Sequence, residues 1–187
     1  MENKKKVTLL GDSIRLIGYG KHVGAMLGDG YTVYQPEDNC RFAAYTLRML
    51  FDLQNEIKGS DIVHWNNGLW DICDLFGDGP FTYIKEYTDT MKRIARQLTE
   101  TCGKVIFATT TPVYPGNVYD DNAVIKRYNE AIVPELEKQG VIINDLHSAV
   151  MADIPRYIRS DDMLHLTEEG EILCAEKTVN IIKSLYD

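Results

Sequence analysis

Five short β-prone runs, Val7–Leu10, Tyr31–Tyr34, Asp61–Asn66, Lys104–Thr109 and Val141–Asn144, alternate with longer stretches in which apolar residues recur at helical spacing. This alternation constrains the chain more than anything else in it. Neighbouring parallel strands need a crossover, and right-handed crossovers through helices place those helices on both faces of one sheet. The expected fold class is therefore α/β, with a five-stranded parallel sheet. The commonest order for such a sheet is 2-1-3-4-5, with its switch point between strands one and three. No repeat or linker divides the chain, so residues 1–187 are expected to form one domain.

The carboxyl edge at that switch point is where open α/β sheets place their chemistry. Val7–Leu10 stops at Gly11-Asp12 and delivers Ser13 to this edge, with Asp12 and Ser13 at the start of a helix that Gly18 and Gly20 make irregular. The third run ends at Asn66, and Asn67-Gly68 marks an abrupt turn. Under the expected order, Ser13 and Asn66 are neighbours. Two long loops, after strands three and four, surround them and carry Trp70, Phe76, Tyr114 and Tyr119. Farther along, Asn122 can cap a helix running to about Lys138 and Thr167 caps the last helix, while Met151–Leu164 shows no regular period.

A formal net charge of -8 excludes the basic surface that nucleic acids or anionic membranes require. The expected partner is a small molecule. Lys4-Lys5-Lys6 is followed by an apolar run too short for a signal-peptide core, and no stretch is long enough to span a membrane, which points to the cytoplasm. The cysteines, Cys40, Cys73, Cys102 and Cys174, form no CxxC pair, so they read as reduced thiols and not as a zinc site. No cofactor and no metal are expected.

A serine hydroxyl attacks a carbonyl only when a base removes its proton, and that base must be held in the correct tautomer. Of four histidines, His22 falls within the first helical segment, His64 in the middle of a strand and His147 just after the fifth strand. His165 lies in the irregular stretch before the last helix, where a loop can reach the sheet edge. Asp162, three residues earlier, can fold back onto one ring nitrogen while the other faces Ser13.

With these residues in place the sequence resembles the SGNH, or GDSL, hydrolases. Gly11-Asp12-Ser13-Ile14 matches the family's nucleophile block, and Asp162-Met163-Leu164-His165 followed by Gly170 matches its carboxyl-terminal block. The resemblance implies a flavodoxin-like three-layer α/β/α fold and ester hydrolysis through a covalent acyl-enzyme. The middle blocks depart from the pattern. Where the family has Gly-x-Asn-Asp, this chain has Gly68-Leu69-Trp70-Asp71, so Trp70 takes the Asn position, and Asn39-Cys40-Arg41 replaces the second-block glycine. The expected oxyanion donors are the Ser13 and Cys40 amides and the side chain of Asn66, with Asn67 as its alternative. Trp70 and Arg41 are candidate substrate contacts; surface ion pairs are the plainer use of Arg41 and Arg15.

The leading expectation is a serine esterase with Ser13, His165 and Asp162 as its triad, acting on a small O-acyl compound such as an O-acetylated carbohydrate. The rival is a non-catalytic module that binds a small ligand on the same fold.

Overall fold

The structure is a computed structural model and is described for residues 4–186. Five strands form one parallel sheet in the order β2-β1-β3-β4-β5: β1 (Lys5–Leu10), β2 (Tyr31–Tyr34), β3 (Ile62–Asn66), β4 (Lys104–Ala108) and β5 (Ile142–Asn144). The expected order is the observed one. In β1 and β3 the register sets Leu10 beside Trp65, so Gly11 and Asn66 follow side by side at the carboxyl edge. Strand β3 is buried along its whole length, as expected for a central strand covered on both faces. At its centre Trp65 and Phe107, both without exposed surface, pack with ring centroids 5.0 Å apart.

Helices cover the two faces. α1 (Gly20–Leu27) packs against α9 (Glu168–Lys183), and α2 (Ala43–Asp52), α5 (Ile84–Thr101) and α6 (Asn122–Glu137) form a second packed series. Short turns α3 (Gln54–Ile57), α4 (Leu69–Ile72), α7 (Leu146–Met151) and α8 (Ile154–Tyr157) fill the connections. The last two fall in or beside the stretch that lacks a period, because a helix of one or two turns is too short to display one. The spacing of Phe42, Tyr45, Leu47, Leu50, Leu53 and Ile57 predicts one helix over residues 41–57, but Leu53, with a ψ of 21°, ends α2 before α3 begins.

Caps follow the sequence in part. Thr167 accepts a hydrogen bond from the Gly170 amide at the start of α9, whose first turn carries Glu168, Glu169 and Glu171. The cap of α6 is Asp121, one residue before Asn122: its carboxylate accepts from the amides of Ala123 and Val124. Asn122 instead holds the preceding loop, exchanging two hydrogen bonds with Val113. Asp38 and Asn39 do not cap α2. Its first amide, on Ala43, donates to the carboxylate of Asp71, which comes from α4.

The segment after Ser13 is irregular for a visible reason. Ile14–Tyr19 forms a π-helical turn, and Gly18 leaves helical geometry altogether at φ -107°, ψ -121°. Gly20 restarts the helix against Arg15, whose carbonyl oxygen would lie 2.6 Å from any Cβ at this position. The kink swings Tyr19 into the core, where it has no exposed surface.

Arg15 is also fully buried, and among the described residues no carboxylate pairs with it. Its guanidinium donates to the carbonyls of Pro36, Gly11 and Asp38 at 2.9, 2.9 and 3.1 Å. One side chain thereby ties the end of β1 to the β2–α2 loop. A lysine offers a single ammonium in place of this fork and leaves carbonyls unpaired in the interior. Arg15→Lys should lower stability by about 2–4 kcal/mol, read as a fall in the urea-unfolding midpoint; an unchanged midpoint would show that the fork is dispensable.

Candidate active site

The Gly11–Ile14 turn brings Ser13 to the carboxyl edge of β1. Asp12, with 1% of its surface exposed, accepts from the Ile14 amide at 2.9 Å and from Asn66 Nδ2 at 2.8 Å through the same oxygen, Oδ1. It shapes the turn and does not face solvent. Burial pushes its carboxyl above the ordinary value, while the hydrogen bonds from Asn66 and Ile14 and the charge of Arg15 pull the other way.

From 152 residues away, His165 meets this turn: its Nε2 lies 2.9 Å from Ser13 Oγ, and its Nδ1 lies 3.0 Å from Asp162 Oδ2. Asp162 Oδ1 accepts from the amides of Leu164 and His165, at 3.0 and 2.9 Å. Burial opposes ionisation of Asp162, but those two amides and the His165 ring outweigh it and hold the carboxyl below its usual range. Arg159 stands nearby, 3.5 Å from Asp162 and 2.6 Å from Asp161.

The loop that carries the pair is fastened at three places. The Arg159 amide donates to the His165 carbonyl, the Met163 amide donates to the Arg159 carbonyl, and the Met163 carbonyl receives the Tyr114 amide. Met163 takes a left-handed φ of 60° to close this turn. At its far end Gly170 lets α9 press on α8, since a Cβ there would sit 2.3 Å from the Tyr157 carbonyl oxygen.

The expected oxyanion donors divide. The Ser13 amide is committed to no loop or side-chain hydrogen bond. Asn66 spends one N–H of its amide on Asp12, and among the described residues the other has no partner. Asn67 is wholly buried and donates to the Arg41 carbonyl, which keeps it away from the cleft. Cys40 corrects the expectation: its amide donates to the Gly11 carbonyl at 3.0 Å, and its sulfur accepts from the Gly11 amide at 3.1 Å. This reciprocal pair closes the loop onto β1 and uses the donor that was expected to be free. Arg41 follows at a left-handed φ of 50°, the conformation a glycine would supply at no cost. Its guanidinium lies over the Tyr45 ring and 3.7 Å from Asp38, so its contacts are with its own loop.

After β3, Asn67-Gly68 turns directly into α4. Gly68 has φ +147°, and a Cβ there would lie 2.1 Å from Thr110 Oγ1, so only glycine lets the turn pass so close to the end of β4. Trp70 projects from α4 with 43% of its surface exposed, and Phe76, Phe81 and Tyr119 are exposed as well. Asp71 points inward to α2.

Sequence reasoning left two groups unassigned that the fold brings against Asn66. Tyr19 donates to Asn66 Oδ1 at 3.2 Å, and His64 Nδ1 lies 3.4 Å from the same hydroxyl. The signal for His64 was its place in Ile62-Val63-His64-Trp65: a titratable ring inside an apolar central strand must have a buried partner.

Comparison with known proteins finds the chain similar to GDSL esterases, lipases and acetylxylan esterases, in line with the resemblance carried by Gly11–Ile14 and Asp162–His165. In sequence the chain is similar to the GDSL esterase/lipase CPRD49 of Arabidopsis thaliana, 28% identical over 121 residues. That match covers 57% of this chain and 47% of the relative, so the chain spans about half the length of the curated relative it matches. In structure it is similar to the lipase/acylhydrolase from Enterococcus faecalis, with a TM-score of 0.77 and 19% identity over 96% of both chains. It is also similar to the acetylxylan esterase Axe2 from Geobacillus stearothermophilus, with a TM-score of 0.75 and 16% identity over 97% of this chain and 96% of that one. No protein-family model matches the chain. Among the described residues, no helix is long and apolar enough to cross a membrane.

Asp71 sets a pH dependence of stability. Burial raises its carboxyl from 3.8 to about 7. Between those values the folded state keeps a proton that the unfolded chain releases, so stability falls as pH rises, by up to about 1.4 kcal/mol per pH unit. Asp71→Asn keeps an acceptor for Ala43 and removes the proton. Its urea midpoint should fall less than that of the wild type between about pH 4.5 and 7; parallel profiles would refute the assignment.

Proposed function

We propose that this protein is a serine esterase that hydrolyses a small O-acyl ester through an acyl-enzyme on Ser13. The observation that carries the reading is the unbroken contact from Ser13 Oγ to His165 Nε2, 2.9 Å, and from His165 Nδ1 to Asp162, 3.0 Å. In this mechanism His165 takes the Ser13 proton as Oγ attacks the ester carbonyl. The proton then passes to the leaving alcohol, and a water deacylates the serine by the same route in reverse order. Asp162 keeps Nδ1 protonated and stabilises the imidazolium. Because its carboxyl is held below the usual range, it stays ionised throughout.

The tetrahedral oxyanion would be held by the Ser13 amide and by the unused N–H of Asn66. With the Cys40 amide bound to Gly11, this pair has fewer donors than the family pattern implies, and losing one donor costs roughly 10²–10³ in turnover. That single observation also favours the rival reading, a binding module that keeps the fold without efficient turnover.

The cavity touching both Ser13 and His165 is small, about 40 Å³, and is also lined by Ile14, Ile17, Gly18, Arg159, Leu166 and Glu171. Neighbours of this fold include acetylxylan esterases, and the exposed Trp70 could stack on a sugar ring outside the cleft. These points favour an O-acetylated carbohydrate as substrate. The four cysteines are free, in keeping with a reducing cytoplasm.

The test is turnover of a nitrophenyl acetate. Ser13→Ala and His165→Ala should each lose at least about 10³-fold in kcat/KM, and Asp162→Asn somewhat less. Full activity in the Ser13 variant would overturn the esterase reading. A wild type inert towards every acyl ester, yet able to bind an acetylated oligosaccharide in calorimetry, would establish the binding module instead. Trp70→Ala should raise KM for an acetylated oligosaccharide while leaving nitrophenyl acetate turnover within about twofold.

A further inference from the structure

Behind Asn66 runs a chain of side chains that the esterase mechanism does not itself use. Asn144, at the end of β5, donates through Nδ2 to His64 Nε2 at 3.1 Å, and Thr178 of α9 lies against the same nitrogen at 3.4 Å. Tyr19 stands on the other side of the ring, 3.4 Å from Nδ1, and donates to Asn66 Oδ1 at 3.2 Å. Asn66 Nδ2 then donates to Asp12 Oδ1 at 2.8 Å. Tyr19, His64 and Thr178 have no exposed surface, and Asn144 has 4%.

The chain has one polarity. Burial lowers the His64 pKa to about 3, so the ring is neutral at physiological pH and carries one proton. Asn144 occupies Nε2 as a donor, which leaves that proton on Nδ1. Nδ1–H therefore donates to the Tyr19 oxygen, and the hydroxyl proton goes to Asn66. Turning the Asn66 amide over would set its oxygen against Asp12 Oδ1 and its NH₂ against a hydroxyl whose proton points towards it. Every donor back to Asn144 would then have to reverse. The unused N–H of Asn66 is thereby kept on the side away from Asp12, at the end of β3 beside the nucleophile turn.

We propose that Tyr19 and His64 are positioning residues that hold the Asn66 amide in the orientation in which its free N–H serves the oxyanion of Ser13. This rests on the esterase reading above. It assigns a role in turnover to two core side chains that touch neither substrate nor triad.

The experiment is a double-mutant cycle on nitrophenyl acetate hydrolysis, with Ser13→Ala as control and urea unfolding of each variant. Tyr19→Phe keeps the ring and removes the donor; it should lower kcat roughly 10- to 100-fold with KM within about twofold. Asn66→Ala should cost at least as much. The double variant Tyr19→Phe/Asn66→Ala should be no slower than Asn66→Ala alone, because Tyr19 acts through Asn66. His64→Asn, whose Nδ2 can replace Nδ1 as donor to Tyr19, should retain kcat, whereas His64→Leu should lose it. That pair carries the test if Tyr19→Phe does not fold.

Wild-type kcat in Tyr19→Phe, losses that multiply in the double variant, or equal kcat in His64→Asn and His64→Leu would each overturn the proposal. If Asn66→Ala is fully active while Ser13→Ala is dead, the positioning role falls and the esterase stands. Activity in Ser13→Ala would remove both.

Discussion

A guanidinium without exposed surface sits under the carboxyl end of β1, and the site is assembled around it. A buried charge is tolerated only when its hydrogen-bonding capacity is largely met. Arg15 meets that condition with the carbonyls of Gly11, Pro36 and Asp38, and with the negative charge of Asp12 in its field. These carbonyls belong to two segments, the Gly11–Ile14 turn and the β2–α2 loop, which the reciprocal Gly11–Cys40 hydrogen bonds also join. Holding them together brings Cys40 against Gly11, sets the height of Ser13 above the sheet and leaves Arg41 in a left-handed conformation.

Buried hydrogen bonds between distant segments also link the rest of the edge. Asp12 Oδ1 accepts from Asn66 and Asn66 Oδ1 accepts from Tyr19, while Tyr19 lies against His64, and His64 against Asn144 and Thr178. The sheet order makes this possible. It places β1 beside β3, so that the first residues beyond each strand meet, and it sends α9 back against the π-turn and α1. On the other side the Asp71 carboxyl group of α4 accepts from the first amide of α2 across 28 residues of sequence. Thr110 hydrogen-bonds the Asn67 carbonyl and leaves room only for Gly68 beside it.

Much of this was legible from local chemistry. The five strands could be read because a parallel, doubly covered sheet demands nearly continuous apolar runs, and the caps at Thr167 and near Asn122 because a helix start needs a side-chain oxygen. The breaks were harder. Leu53 divides α2 from α3 although the apolar spacing continues through it, since periodicity records which face is buried and not whether each φ/ψ pair is helical. Asn39 and Asp38 precede α2 at positions where a cap belongs, yet the amide of Ala43 donates to Asp71, a residue the fold brings from α4.

By itself the sequence determined the alternation of strands and helices, the arrival of Ser13 at a sheet edge, and the local pairing of Asp162 with His165, because each depends on residues within a few positions of one another. Only the tertiary structure decided which polar groups remain free. The Cys40 amide is consumed by Gly11, Arg41 is held by Tyr45 and Asp38, and Arg15 is an interior staple and not a surface ion pair. A backbone donor or a charged side chain has no function until its nearest partners are known. Those partners come from segments that are far apart in the chain and adjacent only in the folded sheet.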